Sequence, residues 1–479
     1  PAHRAGPHHP HPQGRAGLMA NHAPMNPDQP SFQALFRSLD FERPLDVSVP
    51  ADKELYVENL HASEGYSPLE DLQASIEMSD RPGTWLFTGH RGVGKSTELR
   101  RMAANLRQNG YVVLVVDMMD YLNMAEPLHI EGLLLNMAAA LADEAEQMLP
   151  SMHGMSGGPV ARLWSFLKNT DISVPELSPE LSVGDESVAQ AKISFKAEFK
   201  RRPDLRQKVL DAVKNAPGKL AEQVRGFAKE VVQGAQASVG SGTRVVLILD
   251  SLERLRVTGA DAEVCYDAIA RTFDANGEHL KLEHIDVVYS VPPYLPFLSP
   301  RIGSYFGVEV CTLPHVKVFE TPADSASTQA ATPCDKGVAL LVACVSRRYP
   351  DVQRLIPVKH LQRLALASSG SVRDFFRLIR SVCTKAHAAR VTPPLDSDRW
   401  VQLAEQMLLN EMPLAEDDKR WLAEVRKTHG TGLASMTNLH ELARLFDSGL
   451  ILNYRNGRDW CDVQYLLHPQ LIPSDGAHP

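Results

Sequence analysis

The chain has 479 residues, 44% of them hydrophobic and 23% charged, with a formal net charge of −8. That length implies two or three domains of a globular protein, and the acidic balance excludes nucleic-acid binding through overall basicity. Six scattered cysteines (Cys265, Cys311, Cys334, Cys344, Cys383 and Cys461) with no CxxC pair argue against a zinc site or a disulfide framework, and read as reduced thiols of a cytoplasmic protein.

Residues 1–30, rich in Pro, His and Gly, lack apolar periodicity and a signal-peptide core. They read as a disordered leader or tag-like extension, with natural starts open at Met19 or Met25. "TWLFTG" (84–89) is strand-like and leads at once into a helix through Leu106. "YVVLVVD" (111–117), "RVVLILD" (244–250) and "HIDVVYSV" (284–291) are continuous apolar runs, as strands buried on both faces should be, and "HVKVFE" (315–320) is a weaker fifth. Such runs separated by helices predict parallel strands with crossover connections. Between the second and third lies a helical insertion at about 133–240. It comprises a helix over Leu133–Met148, a polar segment broken by Gly and Pro over 151–195, and helical periodicity again over Lys196–Ala237.

After the linker-like "TPADSASTQAATP" come three amphipathic helices, Val338–Arg348, His360–Ser368 and Val372–Lys385. The section from 398 is helical to Phe446 and ends in two alternating segments joined by Asn456-Gly457, a strong hairpin signal. Helices followed by a terminal hairpin suggest a winged-helix domain. No apolar run reaches the roughly 18 residues of a membrane span.

"GHRGVGKS", Gly89 to Ser96, satisfies G-x-x-x-x-G-K-[ST] in full. The glycines let backbone N–H groups close around phosphates. Lys95 brings a mobile cation to the β and γ oxygens, and Ser96 offers a hydroxyl to Mg2+. The following helix directs its positive end at the anion. The predicted nucleotide-contacting residues are therefore Gly89, His90, Arg91, Gly92, Val93, Gly94, Lys95, Ser96 and Thr97, with ATP and Mg2+ as ligands. A strand before the loop and a helix after it separate it from a chance glycine turn.

"VVLILDSLERL" ends a buried strand on Asp250, which either holds Mg2+ together with Ser96 or caps the next helix. Glu253 is either a general base or an exposed helical acid, and the place directly after the aspartate belongs to Ser251. Ser290, at the end of the fourth strand, either faces the γ-phosphate or makes a local turn. "SSGSVRDFFRLIR" puts Gly370 before a helix with Arg373 near its start, a cation that either reaches the nucleotide from a separate lid or is solvated. Arg377 and Arg380 of that helix read as surface charges.

The order of these motifs resembles the AAA+ and STAND branch of P-loop ATPases. Within that branch it is similar to bacterial, origin-recognition-like ATPases with a "GHRG-x-GKSTEL" loop and a "DSLE" strand end, over about Glu54–Ile472. The resemblance implies an ASCE-type α/β core with strand order 5-1-4-3-2, Ser290 as sensor 1, Arg373 as sensor 2 and adenine contacts near Tyr56–Val57. The implied domains are a P-loop core over 31–320, a helical lid over 321–395 and a winged-helix-like domain over 396–479. Arg347 and Arg348 are candidates for an arginine finger.

Three functions follow. One is an ATP-driven switch that relays its state to a protein partner or a second copy of itself, as relatives in signalling or defence do. Another is a DNA-binding initiator, and the third is a non-hydrolysing nucleotide-bound scaffold. The candidate recognition helix, 436–449, sets a single arginine, Arg444, against Glu441 and Asp447, and the wing sets Arg455 and Arg458 beside Asp459. A phosphate-tracking helix should carry several cations.

Overall fold

The computed structural model describes residues 31–62, 65, 67–149, 207, 210–211, 217–255, 262–320, 331–395, 397–431, 439–456 and 458–471. The expected leader, the polar segment 151–195, most of the helix expected from Lys196 up to 216, the linker to 330 and the start of the candidate recognition helix lie outside these residues.

Five strands form one sheet: β1 (Thr84–Gly89), β2 (Val112–Asp117), β3 (Val245–Asp250), β4 (Asp286–Val291) and β5 (Cys311–Leu313). Their order is β2-β3-β4-β1-β5, which is 5-1-4-3-2 read from the other edge, and every pair is parallel. Successive side chains point to opposite faces, and both faces are covered. Trp85, Phe87, Val113, Val246, Ile248 and Val288 pack with the helices Pro68–Met78 and Lys95–Gln108. Leu86, Leu114, Leu247, Leu249 and Tyr289 pack with Ile130–Met148, Pro217–Val239 and Ala262–Phe273 on the other side. This is why the strands read as unbroken apolar runs. Within the expected insertion, Leu220, Val224, Phe227 and Val231 are buried as their spacing predicts.

The fifth strand is not where the apolar run put it. β5 is 311–313, and 315–320 is a strap outside the sheet. Pro314 brings no N–H to a ladder, and the backbone beyond it bonds elsewhere. His315 N donates to Asn453 O at 2.9 Å, and Val316 N donates to Gly370 O at 3.1 Å. Gly370 is essential to that closeness: its φ is +84°, and a Cβ there would lie 2.1 Å from Val316 O.

A second core joins the helices Asp335–Arg348, Val358–Ala367, Val372–Ala388 and Arg399–Leu409 to the N-terminal helix Phe32–Ser38. That N-terminal helix therefore packs with these four helices rather than on the sheet. Arg380 is no free surface charge: its guanidinium lies 4.0 Å from the centre of the Phe36 ring.

The chain ends in helices Glu416–Thr428 and Leu439–Asp447 and an antiparallel hairpin, β6 (Ile451–Asn456) and β7 (Arg458–Val463). The pair Asn456 and Arg458 closes the ladder, and Gly457 of the expected turn lies outside the described residues. Helix Leu439–Asp447 buries Leu442, Ala443, Leu445 and Phe446 in the core shared with the sheet. Phe446 stacks on Phe297 at 4.6 Å. Among the described residues, no helix is long and apolar enough to cross a membrane, and no disulfide joins any of the six cysteines.

Candidate functional site

The glycine loop links the end of β1 to helix Lys95–Gln108 at the C-terminal edge of the sheet. The local geometry follows from the glycines. Gly92 and Gly94 have φ of +88° and +108°, a region L side chains rarely adopt. A Cβ at Gly92 would lie 2.7 Å from the Cβ of Arg373. Arg373 N also donates to Gly92 O at 3.1 Å, so helix Val372–Ala388 is tied directly to the loop.

Lys95 is buried, and its Nζ donates to Gly89 O and His90 O, each at 2.8 Å, while lying 3.2 Å from Glu253 Oε1. Burial lowers the pKa of its ammonium, against the attraction of Glu253. Asp250 ends β3 with its carboxylate beside the Ser96 hydroxyl and Lys95, and its Oδ1 accepts from Ser251 N at 2.7 Å. Burial, and next the Glu253 charge, push Asp250 up to about 6, against the Ser96 hydrogen bond. Ser251 sits in the left-handed region at φ +71°, where a serine is held only by its surroundings.

That turn brings Glu253 back beneath the loop. It stands in a short 3-10 turn, Leu252–Arg254, and is only 4% exposed, so it is not the solvated helical acid that was one reading of the sequence. Its Oε2 accepts from Ser290 Oγ at 2.8 Å. Burial opposes its charge, but Lys95 and the Ser290 hydroxyl outweigh this and keep its pKa below the ordinary value. Buried Lys95, Asp250, Glu253 and Ser290 and the half-buried Ser96 thus form one group.

A cavity of about 100 Å³ opens over the loop, lined by Gly92, Gly94, Lys95, Ser96, Thr97 and Glu253 among others. Arg373 lines it too, and its Nε is buried with no hydrogen-bond partner among the described residues. Gly89, Arg91 and Val93 hold the loop at its ends: a Cβ at Gly89 would meet Leu313 O at 2.7 Å, Val93 is buried, and Arg91 lines the cavity rim.

Two predicted contacts point elsewhere. The ring of His90 leaves the loop to stack on Phe446 at 5.5 Å and lies 4.9 Å from His315. Burial holds that imidazole well below its ordinary pKa, so it is neutral. Tyr56 is outside the loop cavity, with its hydroxyl donating to Glu98 Oε1 at 2.9 Å and its carbonyl accepting from Arg347. The segment beside the loop is instead Asp40–Leu45, and Leu45 N donates to Thr97 Oγ1 at 3.1 Å. Sequence reasoning missed that segment, because it is short, mostly polar and carries no period.

The group suits a Mg-bound polyphosphate. Glycines at positive φ shape the loop, a buried ammonium stands at it, and a hydroxyl and a carboxylate meet as hard oxygen donors. No family model matches this chain, and no curated protein does. Among solved structures it is similar to the Walker-type ATPase PABY2304 of Pyrococcus abyssi, with 14% identity and a TM-score of 0.39 over 91% of this chain and 99% of that one. A likeness that slight carries nothing further, and the chemistry rests on the residues above.

Proposed function

We propose that the chain is an ATP-binding, ATP-hydrolysing P-loop NTPase of AAA+/STAND-like type that works as a nucleotide-driven switch. The observation that carries this reading is the buried group Lys95–Glu253–Ser290 beside Ser96 and Asp250, at the mouth of a glycine loop. The amides of Gly92–Ser96 and the Lys95 ammonium bind the polyphosphate, and Ser96 and Asp250 hold Mg2+. A Mg2+ held there would supply neutralisation of the polyphosphate charge. Glu253, kept ionised by Lys95 and oriented by Ser290, is the base that takes the proton from the attacking water.

The loop is also the place where the nucleotide state is passed on. Arg373 N is bonded to Gly92 O, His90 stacks on Phe446, and Tyr454 OH donates to Ser369 O at 2.8 Å. Lid, loop and terminal hairpin meet within a few residues. The terminal helices and hairpin form a winged-helix-like module that carries the state to a protein partner or a second copy of the chain. A DNA-reading role has less support. Arg444 is paired with Asp418 and Glu441, and the apolar side of its helix is buried.

Binding of a fluorescent ATP analogue tests the site. Lys95→Ala is expected to weaken it by about 100-fold or more, since a buried charge-assisted contact is lost. An unchanged affinity in that variant, with circular dichroism showing an intact fold, overturns the assignment.

A further inference from the structure

Arg254 follows Glu253 directly and faces the same cavity, yet no motif marks it. Of the arginines lining the cavity over the loop, Arg43 is held by Asp52 through two hydrogen bonds, at 2.8 and 2.7 Å. Arg348 donates to Cys344 O at 2.9 Å and lies 4.8 Å from the centre of the Phe376 ring. Arg254 has no such partner. Its side chain donates only to the thioether of Met119, at 3.0 Å, and among the described residues neither it nor Arg373 pairs with a carboxylate. A thioether is a weak acceptor and leaves most of the guanidinium's five N–H donors unused.

Position makes this deficit useful. Arg254 lines both the loop cavity and the adjoining cavity of about 770 Å³ between loop, lid and terminal hairpin, as Arg373 does. The two arginines come from different bodies, Arg254 from the turn after β3 and Arg373 from the lid helix, and they lie close enough to repel each other. Two like charges converging on one polar cavity are stable together when an anion stands between them.

We infer that Arg254 is a second cation for the terminal phosphate, supplied by the same chain, so that Arg254 and Arg373 clasp the γ-phosphate from core and lid while Lys95 holds it from the loop. This rests on the nucleotide-binding reading above and deepens it. The clasp distinguishes nucleoside triphosphate from diphosphate, because the diphosphate lacks the group both arginines reach. It is a recognition contact, separate from proton transfer by Glu253.

The test compares equilibrium affinities for Mg-ATPγS and Mg-ADP in the unsubstituted full chain, Arg254→Ala, Arg254→Lys and a control, Arg354→Ala. Arg354 is an exposed arginine paired with Asp351 that lines neither cavity. Arg254→Ala is expected to weaken ATPγS by about 10-fold while ADP changes by less than about 2-fold. Arg254→Lys keeps the charge without the planar fork and is expected to fall between. The control should move neither ligand. Equal losses for ATPγS and ADP, or no loss for either, overturn the proposal, and if the alanine variant does not fold, the lysine variant's triphosphate-to-diphosphate ratio decides alone. Failure of the unsubstituted chain to bind either nucleotide overturns the broader reading and the clasp with it. Binding that survives with an unaltered ratio overturns the clasp only.

Discussion

At the end of the sheet where β3 and β4 begin, Asp286 is fully buried. It accepts from Gly83 N at 2.8 Å, from Trp85 Nε1 at 3.2 Å and from Arg244 Nη2 at 2.7 Å. Arg244 in turn donates to the carbonyls of Ile76 and Ser79. Each group there finds its counterpart within the chain. At the opposite end of the same strands stand Asp250, Glu253 and Ser290 with Lys95, and Arg254 and Arg373 face their cavity without an ion pair to a carboxylate among the described residues. Burial opposes ionisation at both ends and raises both Asp286 and Asp250. One network is closed and holds strands together; the other, on the function proposed above, is completed by a bound polyphosphate. That contrast separates a structural ion pair from a site.

Breaking the closed network should have the largest effect. Arg244→Ala leaves Asp286 buried without its cation, and losing one partner of a buried pair costs about 3–5 kcal/mol. The expected result is a large drop in the denaturant midpoint, with nucleotide affinity of the remaining folded protein unchanged. A midpoint within error of the parent would show that Asp286 is sustained by Gly83 and Trp85 alone.

Glu253→Gln sharpens the comparison from the other side. The amide keeps the shape and can still accept from Ser290, but it cannot take a proton. Turnover should fall by about 100-fold or more, with nucleotide still bound. Turnover near the parent rate would remove Glu253 from the chemistry and leave it as Lys95's counter-ion. If neither form turns over while both bind, the chain is a nucleotide-bound scaffold.

The loop was legible because its constraints are local: glycines, lysine and serine fall within eight consecutive residues, with a strand before and a helix after. Asp250 was legible as the polar end of an apolar run. Glu253 was only half legible. Helical spacing would have pointed it outward, and the left-handed Ser251 that turns it inward has no sequence signature in a residue other than glycine. The strap at 315–318 was misread as a strand, because it too is apolar and extended, and its backbone partners, Gly370 and Asn453, are distant in sequence. The same distance hid the turn of the His90 ring toward Phe446. Nor can sequence tell an arginine held by carboxylates, such as Arg444, from one with no such ion pair among the described residues, such as Arg254; only the fold decides which carboxylates are near.

The smallest expected effect concerns protons at Asp250. Its folded-state value, about 6, lies above the ordinary 3.8, with burial first and Glu253 second among the causes. A carboxyl raised in this way favours the fold when protonated, and that contribution is lost as pH rises through about 6. Cation binding runs the other way, since a proton competes with the metal for the same oxygens. Mn2+ affinity, measured by spin resonance on the nucleotide-free chain, should therefore fall by about 10-fold per pH unit below about 6. Glu253→Gln removes a neighbouring negative charge and should move that midpoint to lower pH. Ser96→Ala removes a hydrogen bond that favours the carboxylate and should move it higher, besides weakening the cation throughout. A midpoint that ignores both substitutions would mean that Asp250 does not share a site with them, and the contrast between the two ends of the sheet would lose its chemical meaning.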